Sequence, residues 1–129
     1  MSILGKVKVL LVEDDPFLQS MYMTKFELEG FEVYSANDGE LGAALALEKI
    51  PDIILLDILM PKMDGFEVLQ HLKADKKTSN IPVIMLTNLN QKEEVEKCLV
   101  LGADDYLIKA HFMPTEVVAR IIKLLNSKK

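Results

Sequence analysis

Three acidic side chains, a hydroxyl and an amine stand at the ends of apolar runs in the sequence, where they could do chemistry together. Glu13 and Asp14 follow the first run, Asp57 the third and Lys109 the fifth, while Thr87 ends the fourth. If the first and third runs are neighbouring strands of one parallel sheet, their carboxyl ends bring the carboxylates to one sheet edge. The spacing therefore predicts a polar site assembled from separate strand ends.

This set of groups suits a divalent cation and a phosphoryl group. Three carboxylates do not ionise comfortably together in a partly dry cleft, and Mg²⁺ with its preference for oxygen ligands relieves the repulsion. Asp57 would be a nucleophile that accepts a phosphoryl group. Lys109 would offset charge on the phosphoryl oxygens, and Thr87 would hydrogen-bond one of them. Taken singly, each residue could equally be a helix cap or a solvated side chain, so the combined pattern carries the argument.

The elements that must position these residues alternate between strand and helix. The apolar runs predict strands over Lys6–Val12, Phe31–Ser35, Asp52–Leu56, Ile81–Leu86 and Asp105–Ile108. Nearly continuous apolar strands are typical of a parallel sheet that helices cover on both faces. Strict alternation of strand and helix therefore predicts an α/β fold with five parallel strands.

Caps and breakers mark the predicted helices. Asp15 before Pro16 is typical of an N-cap and first turn, so we assign Asp15 to the helix rather than to the polar site. Asn90 with Glu93 is a plausible cap pair for the fourth helix. On the second helix, the residues predicted to face the core are Leu41, Ala44 and Leu45.

Composition excludes several classes of protein. The chain has 129 residues, 50% of them hydrophobic, which predicts one domain with a full core. A net charge of −5 disfavours direct binding of nucleic acid, which needs clustered cations. The single cysteine excludes an internal disulfide and a multi-cysteine metal site. Because no apolar run is long enough for a membrane span or a signal peptide, we predict a cytoplasmic protein without membrane insertion.

Five stretches in order resemble the receiver domain of bacterial two-component response regulators, and the chain is similar to the stand-alone chemotaxis regulator. The stretches are Val7–Pro16 (VKVLLVEDDP), Ala36–Leu45 (ANDGELGAAL), Pro51–Gly65 (PDIILLDILMPKMDG), Ile81–Thr87 (IPVIMLT) and Gly102–Lys109 (GADDYLIK). The third stretch is highly specific. The resemblance implies a sheet of order 2-1-3-4-5. It also implies a single receiver domain over residues 1–129, with a core over about 6–126 and no output domain.

The resemblance implies a role for each acidic residue. Asp57 would be phosphorylated from a phosphohistidine on a histidine kinase or a histidine phosphotransfer protein. The Mg²⁺ ligands would be Glu13, Asp14, Asp57 and the backbone carbonyl of Leu59, with Glu13 able to act through a water. The chain would catalyse only its own phosphotransfer and slow dephosphorylation, and would be a regulatory phospho-acceptor rather than a metabolic enzyme.

Signal output is implied by the same resemblance. Thr87 and Lys109 would contact the phosphoryl group, and Thr87 with Tyr106 would form the switch pair. The surface of the fourth helix, fifth strand and fifth helix would report the change to a downstream target protein in trans. The chain would be a monomer or a phosphorylation-dependent dimer. A plainer interpretation of Tyr106 is an exposed aromatic residue on a strand.

Four positions depart from the family pattern or could tune its rate. Ala110 follows Lys109 where the family usually has proline after a cis bond, so the Lys109–Ala110 bond could be trans and re-aim Lys109, or cis under strain. Asn88 stands where a small residue is usual and could narrow the phosphoryl cleft. Leu59 and Leu89 flank the site where polar residues orient attacking water. We therefore predict slow self-dephosphorylation.

Two other classes of protein remain as alternatives. A phosphatase of the haloacid dehalogenase type also combines aspartate, Mg²⁺, threonine and lysine, but its nucleophile normally lies after the first strand. A receiver-fold binding module that is not phosphorylated would normally have lost Asp57, Thr87 or Lys109.

Overall fold

The computed structural model describes residues 6–127 and confirms the predicted α/β architecture. Its strands are β1 Lys8–Val12, β2 Glu32–Ala36, β3 Ile53–Leu56, β4 Val83–Thr87 and β5 Asp105–Ile108. Its helices are α1 Pro16–Leu28, α2 Gly39–Lys49, α3 Gly65–Ala74, α4 Lys92–Val100 and α5 Pro114–Ser127, with a 3₁₀ turn over Lys109–His111. No helix within these residues is long and apolar enough to cross a membrane.

All strand pairs are parallel, and the sheet has the order β2-β1-β3-β4-β5. Val12 at the end of β1 lies opposite Leu56 at the end of β3. Thr87 at the end of β4 lies opposite Ile108 at the end of β5. Because these strands end level with one another, the residues that follow them are brought to one edge of the sheet.

Side chains alternate between two hydrophobic layers, one on each face of the sheet. Along β3, Ile54 and Leu56 join the layer that includes buried residues of α2, α3 and α4, while Ile53 and Leu55 join the layer formed with α1 and α5. A strand covered on both faces needs apolar residues at every position, which explains the continuous run IILL.

Several local predictions were wrong by one or two residues, including the start of the first strand, which is Lys8 rather than Lys6. The α4 cap is Gln91, whose backbone N–H donates to Glu94 Oε1 at 3.0 Å, one residue after the predicted Asn90–Glu93 pair. The fourth strand begins at Val83 rather than Ile81, because the Ile81 N–H donates to Thr78 O within a turn. Asp15 caps α1 as predicted, since its Oδ1 accepts from two backbone N–H groups at 2.9 and 3.1 Å.

The inward face of α2 was predicted correctly only in part. Its buried residues are Gly39, Gly42 and Ala46, whereas Leu41 is 42% exposed. A Cβ on Gly42 would lie 2.8 Å from Val12 Cγ1, so α2 lies too close to β1 for larger side chains at this position. Close approach selects a small residue at Gly42. Leu45 packs against the core from a half-buried position, as predicted, whereas Leu41 and Ala44 turn outward.

Candidate functional site

Asp57 lies directly after β3 at the sheet edge, with both carboxylate oxygens engaged. Its Oδ1 accepts from the Ile58 N–H at 2.7 Å, and its Oδ2 accepts from Lys109 Nζ at 2.6 Å. The residue is only 7% exposed. The carboxylate is therefore held in one orientation by a backbone donor and a cation.

Glu13 follows β1 and shares the same lysine. Its Oε1 lies 2.5 Å from Lys109 Nζ, and its Oε2 accepts from the Asp15 N–H at 3.0 Å. Burial raises the pKa of Glu13 above its ordinary value, although the hydrogen bonds from Lys109 and Asp15 oppose that shift. Glu13 is 1% exposed, so its charge depends on Lys109 for neutralisation.

Lys109 is the cation that joins the two buried acids. Burial alone would lower the pKa of its amine, but the hydrogen bonds to Asp57 and Glu13 outweigh that effect and raise it. The ammonium is therefore the charged form at neutral pH. No peptide bond within the described residues is cis, so the Lys109–Ala110 bond is trans. Lys109 reaches both carboxylates with this trans bond, so the bond does not aim the side chain away from them.

Asp14 completes an acidic cluster with Glu13 and Asp57. One carboxylate oxygen from each residue lies within 4.8 Å of the others, and Asp14 is exposed. Three carboxylate oxygens at this spacing are a donor set that suits a hard divalent cation such as Mg²⁺. The side chains that the sequence placed at the ends of β1, β3 and β5 are thus brought together.

Thr87 and Tyr106 occupy different depths beside this cluster. Thr87 is 1% exposed at the end of β4, and its Oγ1 accepts from the Leu89 N–H at 3.4 Å. The Tyr106 hydroxyl donates to Leu89 O at 2.7 Å, and burial raises its pKa, which keeps the donor protonated. Tyr106 is half-buried against the core, which excludes the plainer interpretation of an exposed strand aromatic.

The two leucines near the site lie in different surroundings. Leu59, in the loop after β3, is 65% exposed. Leu89 is half-buried and packs against the core layer on the side of α2, α3 and α4. The predicted exclusion of water by these leucines stays a prediction.

Two contacts were not expected from the sequence. Asn88 Oδ1 accepts from the Ala110 N–H at 3.0 Å, and this bond joins two of the positions that depart from the family pattern. Gly65, at the start of α3, packs against the backbone of Asp57, where an added Cβ would lie 2.3 Å from Asp57 O. The sequence did not predict this packing of Gly65, because sequence spacing does not report such a close approach.

Replacing Gly65 by Ala is expected to lower the free energy of unfolding by about 1–3 kcal/mol, since the new Cβ must displace the backbone that carries Asp57. Urea unfolding followed by circular dichroism measures the change. Ala43→Gly, at a half-buried position of α2, is a control for helix propensity alone. It is expected to lower the free energy of unfolding by about 0.5–1 kcal/mol. Equal unfolding midpoints for Gly65→Ala and the parent would contradict the close contact.

Comparison with known proteins agrees with the fold and the acidic cluster. The family model described as the response regulator receiver domain matches residues 9–122. The chain belongs to this family. The DNA-binding dual master transcriptional regulator RpaA of Synechocystis sp. is 42% identical over 119 residues, which cover 92% of this chain and 49% of RpaA. The chain thus spans about half the length of the curated relatives it matches.

Two solved structures show the same architecture. Chemotaxis protein CheY4 of Vibrio cholerae matches with a TM-score of 0.86 and 28% identity, covering 92% of this chain and 98% of CheY4. The receiver domain of the sensor histidine kinase PA1611 from Pseudomonas aeruginosa also has a TM-score of 0.86 and 28% identity, covering 95% of this chain and 99% of that domain. That structure has a magnesium ion coordinated in its active site cleft.

Proposed function

We propose that this chain is a phospho-accepting switch of a two-component system or phosphorelay, in which Asp57 takes a phosphoryl group from a phosphohistidine. The donor is a histidine kinase or a histidine phosphotransfer protein. The observation that carries the proposal is the Lys109 ammonium held between the buried carboxylates of Asp57 and Glu13. Membership in the receiver family supports the same chemistry.

The transfer uses the Asp57 carboxylate as nucleophile. One of its oxygens forms a bond to phosphorus while the bond from phosphorus to the imidazole nitrogen breaks. The departing imidazole keeps the electron pair of that bond and takes up a proton from solvent. The Ile58 N–H and Lys109 fix the orientation of the carboxylate, which lowers the entropic cost of reaching the attack geometry.

Mg²⁺ fits the acidic cluster and is part of the proposal. Asp14, Asp57 and the backbone carbonyl of Leu59 are its proposed direct ligands. Glu13 is proposed to act through a water, because it is the most deeply buried of the three acids, at 1% exposed. When bound, Mg²⁺ supplies positive charge that offsets the carboxylates and the phosphoryl oxygens.

Output is proposed to run through Thr87 and Tyr106. The Thr87 hydroxyl and Lys109 contact the phosphoryl group, which favours the conformation in which both reach it. Tyr106 moves together with Thr87, because the hydroxyl groups of both residues form hydrogen bonds with the backbone of Leu89. A downstream target protein then binds the surface formed by α4, β5 and α5. The chain's cytoplasmic location, its oligomeric state and its lack of direct nucleic-acid binding stay predictions.

Incubation with acetyl phosphate and Mg²⁺, followed by intact mass, tests this function. A single adduct of about 80 Da supports the proposal. Sustained turnover of an aryl phosphate would favour the phosphatase alternative instead. If the chain acquires no adduct and does not bind beryllofluoride, these results favour a receiver-fold binding module that is not phosphorylated.

The phosphorylated state is expected to be long-lived. Leu59 and Leu89 offer no polar atom in their side chains to orient an attacking water. A Leu59→Asn, Leu89→Glu double variant should therefore lose its phosphoryl group at least about tenfold faster than the parent. Phos-tag gels after removal of acetyl phosphate measure the decay.

Single variants separate the two positions. Leu59→Asn changes an exposed side chain, whereas Leu89 packs on the core, so Leu59→Asn is the cleaner probe of water access. Leu47→Asn, at an exposed leucine on α2, is the matched control and should decay like the parent. Faster decay in the parent than in the double variant would refute the prediction.

A further inference from the structure

The 3₁₀ turn that carries Lys109 is tied to the loop after β4 by one side chain. Asn88 Oδ1 accepts from the Ala110 N–H at 3.0 Å. Ala110 lies in the first turn of Lys109–His111, where backbone N–H groups have no partner within the turn. The turn's own closing bond, from the Phe112 N–H to Lys109 O, is long at 3.4 Å. Asn88 therefore supplies an anchor that the turn does not supply for itself.

Asn88 stands between two residues whose positions are linked to the site. Thr87 precedes it, and the Thr87 Oγ1 accepts from the Leu89 N–H at 3.4 Å. Leu89 O in turn accepts from the Tyr106 hydroxyl at 2.7 Å. The loop after β4 and the segment from β5 into the turn are thus joined twice, once through Tyr106 and once through Asn88.

We propose that Asn88 is a positioning residue that couples Lys109 to Thr87 through its hydrogen bond with the Ala110 N–H. This inference rests on the proposed function, in which both side chains contact the phosphoryl group. If the loop moves to bring the Thr87 hydroxyl to that group, the Asn88 bond carries the Lys109 turn with it. The bond is exposed to solvent, so it contributes more to the orientation of the turn than to the stability of the fold.

Beryllofluoride and Mg²⁺ separate this role from a structural one. Beryllofluoride stands in for the phosphoryl group and needs Lys109 and Thr87, whereas Mg²⁺ alone needs the acidic cluster. Asn88→Ala is expected to weaken beryllofluoride binding at saturating Mg²⁺ by about fivefold, the effect of one exposed hydrogen bond. Its affinity for Mg²⁺ alone should change by less than about twofold, because no ligand is altered. Isothermal titration calorimetry measures both.

The donor side provides a matched variant. Ala110→Gly keeps the N–H that donates to Asn88 Oδ1. We therefore expect Ala110→Gly to bind beryllofluoride like the parent.

Two results would overturn the inference while leaving the proposed function intact. One is parent-like binding of beryllofluoride by Asn88→Ala. The other is an equal loss of Mg²⁺ and beryllofluoride affinity together with a lower unfolding midpoint, which indicates a structural role. Failure of the parent itself to bind beryllofluoride would instead overturn the proposed function, and the coupling with it.

Discussion

Replacing Asp57 by Asn is expected to abolish the phosphoryl adduct that acetyl phosphate and Mg²⁺ leave on the parent chain. The amide is not a nucleophile toward phosphorus, so the bond cannot form at this position. The amide keeps the shape of the carboxylate and one acceptor oxygen, so it accepts from the Ile58 N–H or from Lys109 but not from both. Intact mass should therefore show the adduct of about 80 Da on the parent and none on Asp57→Asn, in a chain that remains folded.

Asp52→Asn is the matched control for this experiment. Asp52 stands just before β3, as Asp57 stands just after it, but at the opposite edge of the sheet. Its Oδ2 accepts from the Lys8 N–H at 2.7 Å, a role that an amide oxygen also fills. The control should acquire the adduct at the rate of the parent. An undiminished adduct on Asp57→Asn, located by peptide mapping to Asp14, would refute the assignment of the acceptor.

Replacing Lys109 by Met is expected to have opposite effects on stability and on Mg²⁺ binding. The ammonium lies 2.5 Å from a Glu13 oxygen and 2.6 Å from an Asp57 oxygen, and its side chain is 9% exposed. Its loss leaves two buried carboxylates unpaired, so the free energy of unfolding without Mg²⁺ should fall by about 3 kcal/mol. Urea unfolding measures this change in free energy. Circular dichroism is the signal, because the chain has no tryptophan for fluorescence.

The same variant should bind Mg²⁺ at least about tenfold more tightly, because a unit charge a few ångströms away no longer opposes the cation. Its phosphoryl uptake should nevertheless slow, since Lys109 no longer contacts the incoming group. Lys92→Met is the control. Lys92 forms an exposed pair with Glu96 at 3.8 Å, so its loss should cost less than about 0.5 kcal/mol. Unchanged stability and unchanged Mg²⁺ affinity in Lys109→Met would contradict the role of Lys109 as the cation that pairs with both Asp57 and Glu13.

Stability of Lys109→Met should also depend on pH with a definite sign. Burial already raises the pKa of Glu13 above 4.5 while Lys109 is present, and removing the ammonium raises that pKa further. At pH values between the pKa of Glu13 in the unfolded chain and its pKa in the folded chain, the native state binds more protons than the unfolded state. The free energy of unfolding therefore falls as pH rises from about 4.5 through the raised pKa. A free energy of unfolding that rises over that pH range would contradict the assignment of Glu13 as an unpaired buried acid in this variant.

Local patterns in the sequence were sufficient for the fold class and for much of the site. A strand buried on both faces admits only apolar residues, so IILL identifies β3 and marks Asp57 as the residue that leaves it. The Asp15–Pro16 pair identifies the start of α1, because a cap needs only its own neighbours in sequence. The acidic cluster followed once parallel strands were assumed to end at one edge.

Predictions failed where a residue's environment comes from another element. Leu41 was expected on the inward face of α2 but is 42% exposed, and the short distance to Val12 leaves no room for a side chain at Gly42. The sequence alone did not specify how close α2 lies to the sheet, because that distance is set by packing across two elements. Hydrophobicity predicted that α2 packs on the sheet, but the identity of its buried residues depended on steric fit.

The sequence by itself determined the order of strands and helices, the residues at their ends and a site rich in carboxylates. These features depend on periodicity and on neighbours within a few residues. Only the tertiary structure decided that Lys109 bridges Asp57 and Glu13 across a trans Lys109–Ala110 bond, and that Asn88 bonds Ala110. Asn88 and Ala110 are 22 positions apart in sequence, and hydrogen bonds act over about 3 Å, so the folded sheet alone brings such groups within reach.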